Sequence, residues 1–503
     1  MINFLYFYLI FNYLKISKKM AIKAKKFQLI VLLSIIQISF SNNKILKEEK
    51  KLTEEEITKK LNSIINNPES PLIAASLSVV KNSKTLYCNS TGTSRLNKDG
   101  SFNKSSTINT KYRIASISKL FTAIGIWQLQ EKGKLKLDED VSNYLNFNLR
   151  NPYFNDSKIT INMLLSHTSS IRDGNYNIPF GHNISEYFTP GKELYFDGCF
   201  AKNKNEGPGY FRYSNMNYCL LGTIIENISG ERFDKYMIKN VLNPLEITGS
   251  FNIYEMDIKD LNEVGTIYKK LKDNKTDPNG NFTSQCDDFT DGYEKQNFSD
   301  YIIGSNGALF GPMGSLRISI KELTNLLYMF INNGKYKDNV ILKKETIDKM
   351  LNVIWSYDEK KKNGETSNEL NRAFGGGPMI ITNIGKNRIH EKKNFTVAGH
   401  TAGAYGLFGG LFFDRKNSYG LIYVGNGISR DIQEFVSNYS CFNNWALEFI
   451  KLSDEIAHFY EFESQNYLSV ILLFLIAIVL IFIGCTFLFK KEKEEVLISE
   501  QEI

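Results

Sequence analysis

Two hairpin patterns stand near opposite ends of the chain, and the periodicity between them is mostly helical. Ile73 to Val80 and Thr85 to Thr91 are short β-rich runs around Lys81-Asn82-Ser83-Lys84, and Gly406 to Phe413 and Tyr419 to Val424 flank Asp414-Arg415-Lys416-Asn417. Between them, Ile117 to Lys132 sets Leu120, Phe121, Ile124 and Trp127 on one face and stops at Gly133. Met216 to Ile228 does the same with Leu220, Leu221, Ile224, Ile225 and Ile228 and stops at Gly230, while Ile320 to Asn333 and Lys344 to Leu351 are further helical segments. Strands at both ends with helices between predict an α/β (α+β) fold. One antiparallel sheet is built from N- and C-terminal strands, flanked by helices, with a mostly helical subdomain inserted. The polar stretch Asp273 to Asp300 reads as a long surface excursion whose acids, Asp287, Asp288 and Asp291, are solvated rather than cation-binding.

A chain of 503 residues exceeds what one hydrophobic core usually serves, so appendages to the main body are expected. Residues 1–41 carry six lysines and no acid, which accounts for most of the net charge of +7 and leaves +1 on the rest. A nearly neutral body has no electrostatic footprint for nucleic acid, and that class of partner is excluded. Within residues 1–41, a basic stretch after Met20 precedes the apolar run Phe27 to Phe40 and a polar exit, the pattern of a signal peptide. Residues 42–70 read as a leading helix and linker, and residues 71–450 as the folded body. Tyr467 to Phe489 is 23 residues without a charge, long enough to cross a membrane, and Lys490, Lys491 and Lys493 follow it. The positive-inside rule then gives one C-terminal span, a cytoplasmic tail at 490–503 and a body on the extracellular or luminal side of a secretory membrane. Ten Asn-x-Ser/Thr sites, among them Asn89 and Asn438, agree with that route and with a glycoprotein. Five body cysteines at irregular spacing name no disulfide framework.

The residues present require neither a metal nor an organic cofactor. No two of the five histidines are spaced for a shared metal, HExxH and GxSxG are absent, and no Gly-rich phosphate loop joins a strand to a helix. Ser116-Ile117-Ser118-Lys119 opens the helix that ends at Gly133. Positions i and i+3 share a helical face, so the hydroxyl and the amine can meet where the helix dipole is positive. Tyr213-Ser214-Asn215 brings a phenol and a carboxamide to the entry of the next long helix, and a phenol beside an ammonium can have its pKa lowered and act as a base. Gly399-His400-Thr401-Ala402-Gly403 leads into the second hairpin, where strand N–H groups can face a substrate. Each piece alone has a structural explanation; nucleophile, base and edge strand in that order do not share one.

From about Ile73 to Gly427 the chain resembles the serine β-lactamase-related hydrolases of the class C and penicillin-binding-protein group. Arg113 to Ala123 looks like the nucleophile segment, Leu164 to Ser170 like Leu-Leu-x-His-Thr-Ser-Gly, Tyr213-Ser214-Asn215 like the second motif, and Asn243-Pro244-Leu245 like the Pro-Leu segment. His400-Thr401-Ala402-Gly403 stands where members carry Lys-Thr-Gly or His-x-Gly. The resemblance implies a β-lactamase/transpeptidase-like fold and a serine acyl hydrolase, esterase or peptidase-like, acting on a small-molecule or peptide ester or amide. By position, Ser116 would form an acyl-enzyme, with Lys119 and Tyr213 sharing acid–base duty. Asn215 would hold the substrate amide or Lys119, and His400 and Thr401 would line the site. The N–H groups of Ser116 and Gly403 would receive the oxyanion, and His167 would be structural. Ala402 stands where glycine is usual and narrows the cleft; Ser170 replaces a turn glycine. Histidine in place of lysine favours esters or peptides over β-lactams, because imidazole is mostly neutral near pH 7. The competing expectation is a surface receptor or scaffold that keeps this fold without turnover.

Overall fold

The computed structural model describes residues 52–391 and 396–458, together with Leu475 and Val479. The signal-peptide pattern of residues 1–41 and, those two residues apart, the apolar run Tyr467 to Phe489 lie outside the described residues. Among the described residues, no helix is long and apolar enough to cross a membrane. Thr53–Ala457 forms one compact unit.

That unit opens with helix α1 (Glu54–Ile65), whose capping box pairs Thr53 with Glu56 and whose Ile57, Leu61, Ile64 and Ile65 are buried. Next come β1 (Ala74–Lys81), β2 (Lys84–Leu96) and β3 (Phe102–Ser105). Asn82 and Ser83 turn the first hairpin with φ of +49 and +57, the left-handed pair that a two-residue hairpin needs. Three short strands, β4 (Trp355–Ser356), β5 (Ala373–Phe374) and β6 (Met379–Ile381), precede β7 (Val397–Ala404), β8 (Leu407–Asp414) and β9 (Tyr419–Asn426).

All nine join one antiparallel sheet in the order β4-β5-β6-β7-β8-β9-β1-β2-β3. The closing pair is β1 with β9, running from Ala74↔Asn426 to Lys81↔Tyr419, so the two ends of the body meet at mid-sheet as the hairpin patterns predicted. Every residue of β1, β8 and β9 is buried, which requires both faces of the sheet to be covered. Helix α4 (Ile320–Ile331) covers one face, with Ser78 Oγ and Thr324 Oγ1 2.8 Å apart and Phe330 stacked on Phe413. A helix that opens at residue 444 covers the other, with Trp445 stacked on Phe408 and Phe449 on Tyr423.

The helices between the hairpins include α2 (Ser118–Glu131) and α3 (Asn215–Ser229) before α4, and α5 (Lys344–Leu351) after it. Their bounds agree closely with the periodicity. Both α2 and α3 are buried over most of their circumference, because the two pack against each other inside the helical layer.

The stretch Asp273 to Asp300 departs from expectation. Asn281–Cys286 is a strand that pairs with Ile267–Lys272, and Asp287 is not solvated. Its side chain is 5% exposed and its carboxylate accepts from Arg317 Nη2 at 2.7 Å and Nε at 3.1 Å. A buried guanidinium from Arg317–Ser319, a strand of a separate sheet, draws the acid inward, which the composition of the stretch cannot reveal. The five body cysteines are free thiols.

Candidate active site

Ala115–Ile117 forms one 3₁₀ turn that runs directly into α2, so Ser116 sits at the positive end of that helix. Ala115 holds φ at +46, a conformation that costs an L-residue roughly 1–2 kcal/mol and marks backbone held by its surroundings. Those surroundings are hydrogen bonds from Ile114 N to Leu316 O at 2.9 Å and from Leu316 N to Ser118 Oγ at 3.2 Å.

One turn along α2, Lys119 is fully buried. Its Nζ donates to Ser116 Oγ at 3.1 Å, Asn215 Oδ1 at 2.8 Å and Met313 O at 2.7 Å. Burial brings its pKa down to about 7, against an opposing pull from Asp173. The geometry has a consequence for the neutral amine. Asn215 Oδ1 and Met313 O can accept only N–H, so once the third proton is lost, the lone pair is left facing the Ser116 hydroxyl.

Tyr213 completes the group, its O–H donating to Ser116 Oγ at 2.9 Å. The phenol pKa moves opposite to the expectation from a nearby ammonium. Burial pushes it up, outweighing the hydrogen bond to Ser116. At neutral pH the phenol is therefore a proton donor in the resting site, because desolvation of a phenolate costs more than the Ser116 hydrogen bond returns.

Asn215 opens α3, and the residue that orients it is Asp173. The Asp173 carboxylate accepts from Ser214 Oγ at 2.7 Å, Asn215 N at 2.8 Å, Asn215 Nδ2 at 2.9 Å and Met216 N at 3.0 Å. An acid at a helix N-terminus is favourable in itself. Here it also fixes which end of the Asn215 carboxamide faces Lys119. Asp173 was not singled out in the sequence; an acid beside Gly174 reads only as a turn. Met313 was missed as well, because it acts through a backbone carbonyl that has no side-chain signature.

His167 is structural, as the resemblance implied. It is buried, accepts from Ser214 N on Nδ1 at 3.1 Å and stacks on the Tyr213 ring at 4.3 Å. Ser170, in the place of a glycine, indeed occupies a left-handed turn with φ of +68. Its Oγ accepts from Asn151 Nδ2 at 3.0 Å, a buried bond. Ser170→Gly should therefore change stability by less than about 1 kcal/mol, because relief of the left-handed backbone offsets the lost bond. Ser170→Ala loses the bond without the relief and should cost about 1 kcal/mol, measured by urea unfolding.

Strand β7 runs beside the Ser116 turn, and Ser116, Tyr213, His400, Thr401, Ala402 and Gly403 line one cavity of about 620 Å³. His400 is buried, and burial, then Lys119, brings its pKa down to about 3. Ala402 is paired with Gly409 on β8, where an added side chain would meet Tyr423 O at 2.7 Å and touch the Ala402 methyl at an ordinary 3.5 Å. All seven residues expected at the site lie together.

The family model of β-lactamase matches residues 67–431. The chain belongs to the β-lactamase family. Protein flp of Staphylococcus aureus (strain N315) is 33% identical over 178 residues, which is 35% of this chain and 34% of that protein. The match thus spans about a third of this curated relative. Among solved structures, the octameric penicillin-binding protein homologue from Pyrococcus abyssi aligns with a TM-score of 0.53 at 22% identity, covering 80% of this chain and 77% of that one. The D-amino acid amidase from Ochrobactrum anthropi SV3 aligns with a TM-score of 0.54 at 16% identity, covering 81% and 99%. At such identities the two structures establish the shared fold of this β-lactamase-family chain.

Proposed function

We propose that this β-lactamase-family chain is a serine acyl hydrolase, esterase or peptidase-like, working through an acyl-enzyme on Ser116. The observation that carries the reading is the convergence of Lys119 Nζ and Tyr213 Oη on one oxygen, Ser116 Oγ, at 3.1 and 2.9 Å. In the proposed cycle, Lys119 as the neutral amine takes the Ser116 proton while Oγ attacks the carbonyl. Tyr213 gives its proton to the departing alcohol or amine. Water then attacks the ester, its proton passing to the Tyr213 phenolate while the Lys119 ammonium returns one to Ser116 Oγ. Atoms and charge balance over the two steps. The N–H groups of Ser116 and Gly403, two residues that line the same cavity, are proposed to receive the oxyanion, where one donor is worth about 3 kcal/mol. Asn215 holds Lys119, and His400 and Thr401 form the wall facing the substrate. We extend the reading to place: residues 71–450 form the hydrolase domain, held outside the cytoplasm by the apolar run 467–489. Support for that placement is the sequence pattern alone.

Incubating the full-length protein with a fluorophosphonate probe tests the nucleophile. Wild type should gain one covalent adduct by intact mass, mapped to Ser116, and Ser116→Ala should gain none. Equal labelling of both would remove the assignment.

Because Lys119 acts as a base with a pKa of about 7, kcat/KM for a neutral ester should fall as pH drops through about 7 and level off above it. Asp173 raises the Lys119 pKa, so Asp173→Asn should move that midpoint to lower pH while reducing kcat by loosening Asn215. A profile flat from pH 5 to 9 would contradict Lys119 as the base.

A further inference from the structure

We propose that the cavity beside Ser116 selects an uncharged, peptide-like acyl donor, one that offers hydrogen-bonding groups and has no carboxylate next to the scissile bond, with His400 as the residue that sets this preference. The inference rests on the hydrolase reading above and names its substrate class. Among the described residues that line the cavity, none is Lys, Arg, Asp or Glu. The cations nearest in the chain to its wall are already engaged, Arg212 with Glu365 and Arg430 with the carbonyl of Glu69. Lys119 is held behind Ser116 by three acceptors. Arg113 donates to Gly314 O and Ser315 Oγ and lies over the Tyr405 ring, and Arg372 pairs with Glu359 and Glu369.

His400 lines the cavity beside Ser116. Its Nδ1 donates to Thr401 O at 2.7 Å, which fixes the neutral tautomer and leaves Nε2 as an acceptor. That Nε2 is buried and has no hydrogen-bond partner. Its depressed pKa keeps it an acceptor across the neutral range, so it fits a substrate N–H or O–H and opposes an anion. The rest of the wall is of the same character. The side-chain amides of Asn368, Asn371 and Gln433 make no hydrogen bond among the described residues, and Leu370, Met379 and Phe442 supply apolar surface between them. Amide dipoles interleaved with apolar side chains match the alternating polar and apolar groups of a peptide, and a carboxylate placed there would lose its water with no charge to replace it.

The test is a matched pair of thioesters, N-acetyl-alanyl thioglycolate as the free acid and as its amide, given to the full-length protein with thiol release followed by colour. Wild type should favour the amide by about 100-fold in kcat/KM. His400→Lys should shrink or reverse that ratio. The wild-type ratio decides the matter even if the lysine variant does not fold. Fluorophosphonate labelling of the same sample separates the two readings. Labelling at Ser116 with equal turnover of acid and amide overturns the substrate class alone; no labelling and no turnover of either overturns the hydrolase reading and this inference with it.

Discussion

Ser116→Ala should lower kcat/KM on an activated ester by about 10⁴-fold or more and leave the fold intact. The loss is large because the hydroxyl is the one atom group on which every other part of the site converges. Lys119 Nζ and Tyr213 Oη both point at it, and the helix dipole favours the alkoxide there. Without it, the cavity can still bind and polarise an ester but has no bond to form. Structural damage should be small. Ser116 sits in a 3₁₀ turn pinned through Ile114 and Ser118, and its own side chain holds no part of the core. The checks are steady-state hydrolysis of a p-nitrophenyl ester and a thermal melt. A variant that retains a tenth of wild-type activity would mean that another group does the chemistry.

Lys119→Ala should cost about 10³-fold in kcat, within the range expected for removal of a positioned general base. Two signs separate this from general disruption. First, the fall in activity below about pH 7 should vanish, because the group whose proton produces it is gone. Second, fluorophosphonate labelling should become slow rather than absent, since Ser116 remains. Lys119→Met, close to the same volume, should behave alike and keep the packing between the Tyr213 and Tyr218 rings. Either variant leaves Asn215 Oδ1 and Met313 O without their donor, so some loss of stability is expected, at about 1–3 kcal/mol for an acceptor left buried and unpaired. Wild-type kcat in Lys119→Met would refute the role of the amine.

Much of this arrangement is legible in local spacing. Ser116 and Lys119 had to share a face once residues 117–132 were helical, and the two hairpins had to contribute to a sheet once their β-rich runs flanked turns. The sequence patterns also located Tyr213 and Asn215 at a helix entry, where side chains are free to face a cleft, and His400 on the approach to the second hairpin, where it lies in the middle of β7. The short strands β4 to β6 carry no comparable signal, since two or three residues show no period.

What the sequence by itself determined is the order of the elements, the faces of the helices and the chemical kinds at their tips. Those follow from interactions between residues a few positions apart. Tertiary structure decided the rest. Asp173 reaches Asn215 across 42 positions, Met313 offers a carbonyl to Lys119 across 194, and Asp287 is drawn inward by Arg317. The protonation of the site was decided there too. Burial brings Lys119 down and Tyr213 up, reversing the role that proximity alone would give the phenol. Desolvation is a property of everything packed around a group, and no spacing along the chain encodes it.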